Sequence, residues 1–140
     1  MSLYLDASVI VPTLVEESGS APVARFLSRA TERLIVSDFT VAEVSSALSR
    51  LIRMALLSQT EALERLREFD VWRVSATDAI DFQPSDFRLV NIFVRNFDLA
   101  LRAPDALHSA VCHRANLTLV TLDRRLAAAA ETLAVGVTVP

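Results

Sequence analysis

Leu3-Tyr4-Leu5-Asp6-Ala7-Ser8-Val9-Ile10-Val11-Pro12 is the stretch on which the fold turns. It is an apolar run that carries one acid and one hydroxyl. A continuous run of this kind suits a central strand of a parallel sheet, buried on both faces. An aspartate in such a strand is costly to bury unless something pairs with it or coordinates it. In open parallel sheets the chemistry gathers at the carboxyl ends of the strands. Asp6 therefore sets the question of what stands opposite its carboxylate.

Outward from this strand, the pattern alternates. Helix is expected over Val9 to Glu17, broken by Gly19, Ser20 and Pro22, and again over Ala21 to Thr31. Leu34-Ile35-Val36 is short and apolar and reads as a second strand. Thr40 to Leu57 reads as a long helix, with Val41, Val44, Ala47, Leu48, Leu51 and Ile52 at helical spacing. Ser58 or Thr60 starts another helix, and Val71-Trp72-Arg73-Val74 reads as a short strand. Ser85 to Phe97 looks helical, and Pro104 fits the first turn of a helix through about Ala115. Leu117 to Leu122 is the clearest later strand, followed by an alanine-rich helix from Arg124 to Leu133 and a closing strand over Val135 to Val139. The alternation predicts an α/β fold, a single doubly wound domain over residues 1–140 with a parallel sheet of about four to five strands flanked by helices.

Composition narrows the chemistry. Hydrophobic residues make up 52% of the chain, so either the core is large or an apolar patch awaits a partner. No apolar run approaches the roughly 20 residues of a membrane span, and no secretory signal pattern opens the chain. The expected location is cytoplasmic, and Cys112, alone, reads as a small core residue. The net charge of −3 gives no global basic signature. All 14 basic residues are arginine, which excludes Schiff-base chemistry and a lysine-bearing phosphate loop. Two glycines, Gly19 and Gly136, cannot build a dinucleotide cradle.

Four acids stand out, and each has an ordinary structural explanation. Asp6 suits an Asx-turn. Glu43, three residues after Thr40, suits a capping box, with Asp38 as a competing cap. Asp105, after Pro104, suits the positive end of a helix. Asp123, between strand and helix, suits an N-cap. Taken together they suggest something else, because strand-to-helix junctions of a doubly wound sheet face one edge. Carboxylates converging there repel by about 4 kcal/mol per pair at ~4 Å and an effective dielectric near 20. Such a cluster calls for protons or cations, and oxygen ligands favour Mg²⁺ or Mn²⁺.

Tyr4-Leu5-Asp6-Ala7-Ser8, Thr40-Val41-Ala42-Glu43, Arg102-Ala103-Pro104-Asp105-Ala106-Leu107-His108 and Leu119-Val120-Thr121-Leu122-Asp123-Arg124-Arg125-Leu126 resemble the four blocks of the PIN-domain ribonucleases, most of all the VapC-type toxins of bacterial toxin–antitoxin pairs. The blocks run in family order over essentially the whole chain. The resemblance implies a PIN-like fold and metal-dependent hydrolysis of RNA phosphodiesters, leaving 5′-phosphate and 3′-hydroxyl ends. It implies that Asp6, Glu43, Asp105 and Asp123 are both the catalytic residues and the ligands of one or two Mg²⁺ or Mn²⁺ ions. Ser8 and Thr121 would line that site as supporting hydroxyls. The partners implied are an RNA substrate, a cognate antitoxin gripped near the apolar Thr40 to Phe69 segment, and a second copy in a homodimer.

Arg102, Arg124 and Arg125 flank the acids and are candidates for RNA contact, with solvated helix ends as the plain alternative. Phe39 and Trp72 offer stacking surfaces, although core packing explains both. His108 and His113 lack partners at metal-ligand spacing and read as packed or surface histidines. Two competing readings remain. One is a non-catalytic protein-binding module whose acids are caps. The other is a phosphotransfer enzyme with Asp6 as acceptor, which the serine at position 8 and the absence of lysine disfavour.

Overall fold

The computed structural model describes residues 1–140. Four parallel strands form one sheet in the order β2-β1-β3-β4: β1 (Ser2–Leu5), β2 (Arg33–Ile35), β3 (Thr118–Val120) and β4 (Val137–Thr138). β1 is central. Leu3 and Leu5 point into one core, and Tyr4 into another on the opposite face. All three are buried, which is why the run is apolar at every position rather than at alternate ones.

The Leu3/Leu5 face is covered by α1 (Ala7–Leu14), α2 (Ser20–Arg29), α3 (Asp38–Arg53) and α4 (Gln59–Ala76), through Val9, Ile10, Val23, Val44, Leu48 and Phe69. The Tyr4 face is covered by α6 (Ala103–Ala115) and α7 (Arg124–Thr132), through Val111, Cys112, Leu126 and Ala130. Helix α5 (Pro84–Arg95) lies on α6 through Phe93, Ala106 and Ala110. No helix is long and apolar enough to cross a membrane.

The chain leaves β1 for β2 on one side and later returns to β3 on the other. A sheet of this type opens a crevice beyond its carboxyl ends where the winding reverses. Here that point lies between β1 and β3, whose ladder continues as Asp6 N–H donates to the Val120 carbonyl at 3.2 Å.

Two expectations fail. Val71 to Val74 is not a strand but part of α4. A complete Ser58–Glu61 capping box starts that helix, and no glycine or proline interrupts residues 58–83. Helical spacing also lets Trp72 stack on Phe69, with ring centroids 6.3 Å apart, so a four-residue β-like composition is overridden by its surroundings. What extends the sheet instead is an isolated bridge from Ile35 to Asp78. Second, α3 begins a turn earlier than Thr40: Ser37 is its N-cap and accepts the Thr40 N–H at 3.1 Å. The Thr40–Glu43 capping box is therefore not formed, and Glu43 is released from that duty.

One buried ion pair fixes α5 against α6. Arg114 donates from Nε and Nη2 to Asp86 at 2.6 and 3.0 Å, and from Nη2 to the Asp81 carbonyl at 2.9 Å. Asp86, fully buried, also accepts the Gln83 N–H at 2.8 Å. Removing one partner of such a pair strands the other charge. Arg114→Met leaves the fully buried Asp86 without its cation and is expected to lower stability by about 3–5 kcal/mol in urea denaturation; a loss below ~1 kcal/mol would show that the pair does not hold these helices together.

Candidate active site

Asp6 ends β1 as the N-cap of α1, yet its side chain makes no capping bond. Instead Ser8 Oγ donates to Oδ1 and Thr121 Oγ1 donates to Oδ2, both at 2.6 Å. Each hydroxyl has a single proton. Ser8 Oγ accepts the Leu122 N–H at 2.8 Å, and Thr121 Oγ1 accepts the Asp123 N–H at 3.0 Å. Amides thus fill the acceptor side of both hydroxyls, and their protons are aimed at Asp6. Two of these four bonds, Thr121 to Asp6 and Leu122 to Ser8, tie the end of β1 to the turn after β3. Gly19 lets the α1–α2 turn close on that junction, since a Cβ there would stand 2.6 Å from Leu122 Cδ1.

The Asp6 carboxylate is only 4% exposed. Burial pushes it above the ordinary aspartate value of 3.8, the two hydroxyls and His108 oppose the rise, and the charge of Glu43 adds to it. Burial likewise raises Asp105, against Arg102 at 3.7 Å, with the charges of Asp123 and Glu43 reinforcing the rise. Asp6 and Glu43, Glu43 and Asp105, and Asp105 and Asp123 therefore act on one another through space. The structure brings all four acids into one electrostatic neighbourhood at the carboxyl edge.

Their ordinary explanations divide. Asp6 and Glu43 do not cap. Asp105 sits in the first turn of α6, where Arg102 is the N-cap and no side-chain capping bond forms. Asp123 does cap α7: its Oδ1 accepts from the Arg125 and Leu126 amides at 2.9 and 3.1 Å. Oδ2 takes no part in the cap. A crevice of about 280 Å³ is lined by Asp105, Asp123, Arg102 and Arg125, closed by Leu99, Leu101 and Leu126. Arg124 is exposed outside that lining. Phe39 is half-buried and set against His108 and Phe82, and Trp72 lies away from the acids on α4.

The PIN domain family model matches residues 3–132. The chain belongs to the PIN-domain family. Ribonuclease VapC35 of Mycobacterium tuberculosis is 31% identical over 144 aligned positions, covering 99% of this chain and 96% of that protein. Among solved structures, M. tuberculosis VapC20, described as a sarcin-ricin loop cleaving toxin, superposes with a TM-score of 0.74 at 12% identity, covering 91% of this chain and 94% of that one. VapBC2 from Rickettsia felis, bound to a fragment of promoter DNA, superposes with a TM-score of 0.68 at 14% identity, covering 100% of this chain and 99% of that one. At these identities the structural likeness speaks for the PIN fold, and the fold expected from the sequence is the one observed.

The donor set of this PIN domain suits a hard divalent cation: four carboxylates, three of them with an oxygen outside any protein hydrogen bond, and few positive groups among them. No three of its acids, histidines or cysteine close around one point tightly enough to enclose an ion by themselves.

His108 is the residue that sequence spacing missed. It is 2% exposed, and its Nε2 lies 2.6 Å from Glu43 Oε2. Its partner is 65 positions away on α3, beyond the reach of any local pattern. Only its place one turn after Asp105, on the same side of α6, hinted at the site.

A raised Asp6 has a definite consequence for stability. Whatever stability its raised value gives the folded state is fully present below 3.8 and is lost as pH rises through the raised value. Asparagine does not titrate, so the melting temperature of metal-free wild type relative to Asp6→Asn is expected to fall as pH rises from 4, by about 2–5 °C for each ~1 kcal/mol of linkage in a chain of this size. A gap between the two proteins that does not change with pH would show that burial does not dominate at Asp6.

Proposed function

We propose that this PIN domain is a metal-dependent endoribonuclease, the toxin of a toxin–antitoxin pair. The observation that carries the reading is Asp6: a buried carboxylate at the reversal of the sheet, held by two hydroxyls and facing further acids rather than a cation of the protein. The relative at 31% identity is named a ribonuclease, which agrees with this chemistry.

In this reading Asp6, Glu43, Asp105 and Asp123 are the catalytic carboxylates and hold one or two Mg²⁺ or Mn²⁺ ions. When bound, the cation supplies Lewis-acid charge at the phosphodiester and acidifies its own water. Ser8 and Thr121 keep Asp6 in one orientation. Arg102 and Arg125, in the same crevice as Asp105 and Asp123, offer guanidinium groups to RNA phosphates, with Arg124 next along the exposed start of α7. The net negative charge of the chain then does not prevent RNA binding, because the positive charge is local.

The apolar excess has a matching place. Leu14, Leu27, Phe69 and Trp72 line a recess of about 250 Å³ between α1, α2 and α4 that contains none of the four acids. Beside it, Leu51, Leu56 and Leu57 line another depression with Arg65. We assign this side to the cognate antitoxin, and an isologous homodimer to the working toxin.

Asp105 tests the reading, because it makes no capping bond and is partly exposed. With Mn²⁺ or Mg²⁺ the wild type should cut RNA and, expressed without a partner, arrest growth. Asp105→Asn should lose at least about 100-fold in cleavage rate, the usual cost of removing one charge-stabilising group, while melting within a few degrees of wild type. Equal cleavage by the two proteins would refute the assignment.

A further inference from the structure

Behind Glu43 runs a buried chain of hydrogen bonds. Thr40 Oγ1 donates to the Leu5 carbonyl at 3.2 Å. Ser37 Oγ accepts the Thr40 N–H at 3.1 Å and lies 2.7 Å from the Tyr4 hydroxyl. The Tyr4 hydroxyl lies 2.8 Å from His108 Nδ1, and His108 Nε2 lies 2.6 Å from Glu43 Oε2. Tyr4, Ser37, Thr40 and His108 are all buried.

Proton counting fixes the Glu43 end of the chain. The proton of Thr40 is committed to Leu5, and each remaining hydroxyl has one. With a neutral ring, Ser37 donates to Tyr4, Tyr4 donates to His108 Nδ1, and His108 keeps its proton on Nε2 to donate to Glu43; the other tautomer would turn Nε2 into an acceptor facing a carboxylate, two lone pairs at hydrogen-bond distance. With a doubly protonated ring both nitrogens donate, and Nε2–H still faces Glu43. Burial also raises Tyr4 well above the ordinary phenol range, which keeps it a donor. The imidazole is clamped between rings as well, with centroids 5.5 Å from Tyr4 and 5.2 Å from Phe39.

We infer that His108 is a positioning residue for the acidic site: Tyr4 holds its Nδ1 edge, and its Nε2–H holds one oxygen of the Glu43 carboxylate. The inference rests on the proposed metal-binding role of Glu43. It makes Tyr4, on the core face of β1, part of the active-site support rather than only a packing residue. Glu43 Oε1 has no protein hydrogen bond, so one oxygen is held and the other is available. His108 also lies within electrostatic range of Asp6 and Asp105, which places the clamp among three of the four acids.

Two measurements on the full-length, metal-free chain test this. Long-range ¹H–¹⁵N spectra of the wild type should show His108 with a proton on Nε2. A neutral ring with its proton on Nδ1 overturns the inference, and this readout needs no variant to fold. Mn²⁺ titration calorimetry is the second. Asparagine places its amide where Nδ1 was and cannot reach Glu43, whereas glutamine places a donor near Nε2. His108→Asn should bind Mn²⁺ about tenfold or more weakly, the usual cost of losing a group that orients a ligand, and His108→Gln should stay within about threefold of wild type. Tyr4→Phe keeps the ring but removes the bond at Nδ1, and should fall between them. Unchanged Mn²⁺ affinity in both His108→Asn and Tyr4→Phe overturns the positioning role alone. A wild type that binds no Mn²⁺ overturns the metal-site reading, and this inference with it.

Discussion

The structure depends on how one carboxylate is kept in the middle of an apolar sheet. Asp6 is placed by the most buried strand of the chain and stabilised by two hydroxyl protons, one from its own helix and one from the neighbouring strand's end. Those hydroxyls are in turn oriented by the amides of Leu122 and Asp123. The bonds that make the acid tolerable therefore also dock β3 and α7 against β1. Packing and site share one set of contacts, and the site cannot shift without loosening the centre of the sheet.

What remains is charge. The hydroxyls donate hydrogen bonds but bring no positive charge; His108 and, at Asp105, Arg102 act the other way, yet burial and the neighbouring acids push both carboxyls up. Burying the acid there costs stability, and carboxylates perturbed by burial and by neighbouring acids cluster at functional sites. The large two-faced core, with Leu3 and Leu5 on one side and Tyr4 on the other, is what offsets that cost.

Much of this was legible in the sequence for a physical reason: β1 and β3 are short and continuously apolar, and their terminal acids stand where a parallel sheet must open. Asp6 and Asp123 could be placed from local pattern alone. Glu43 was harder, because Thr40 three residues earlier imitates a capping box, and only the structure shows Ser37 taking the cap. Val71 to Val74 misled for the opposite reason: its composition favours a strand, but the helix started by Ser58 and Glu61 runs through it. His108 was not legible, since its meaning lies in Tyr4 and Glu43, which are distant in the chain.

Asp123 shows that the structural and chemical explanations of these acids do not compete. A carboxylate has two oxygens and about four acceptor positions. Asp123 gives one oxygen to the first amides of α7 and keeps the other. Glu43 gives Oε2 to His108 and keeps Oε1. In each case the bond made within the protein removes the rotational freedom of the side chain, and the spare acceptor sites remain. An acid held in this way binds a cation without first having to be ordered, which is where preorganised sites gain over flexible ones. At Asp123 the cap does the holding, and at Glu43 the bond from His108 does.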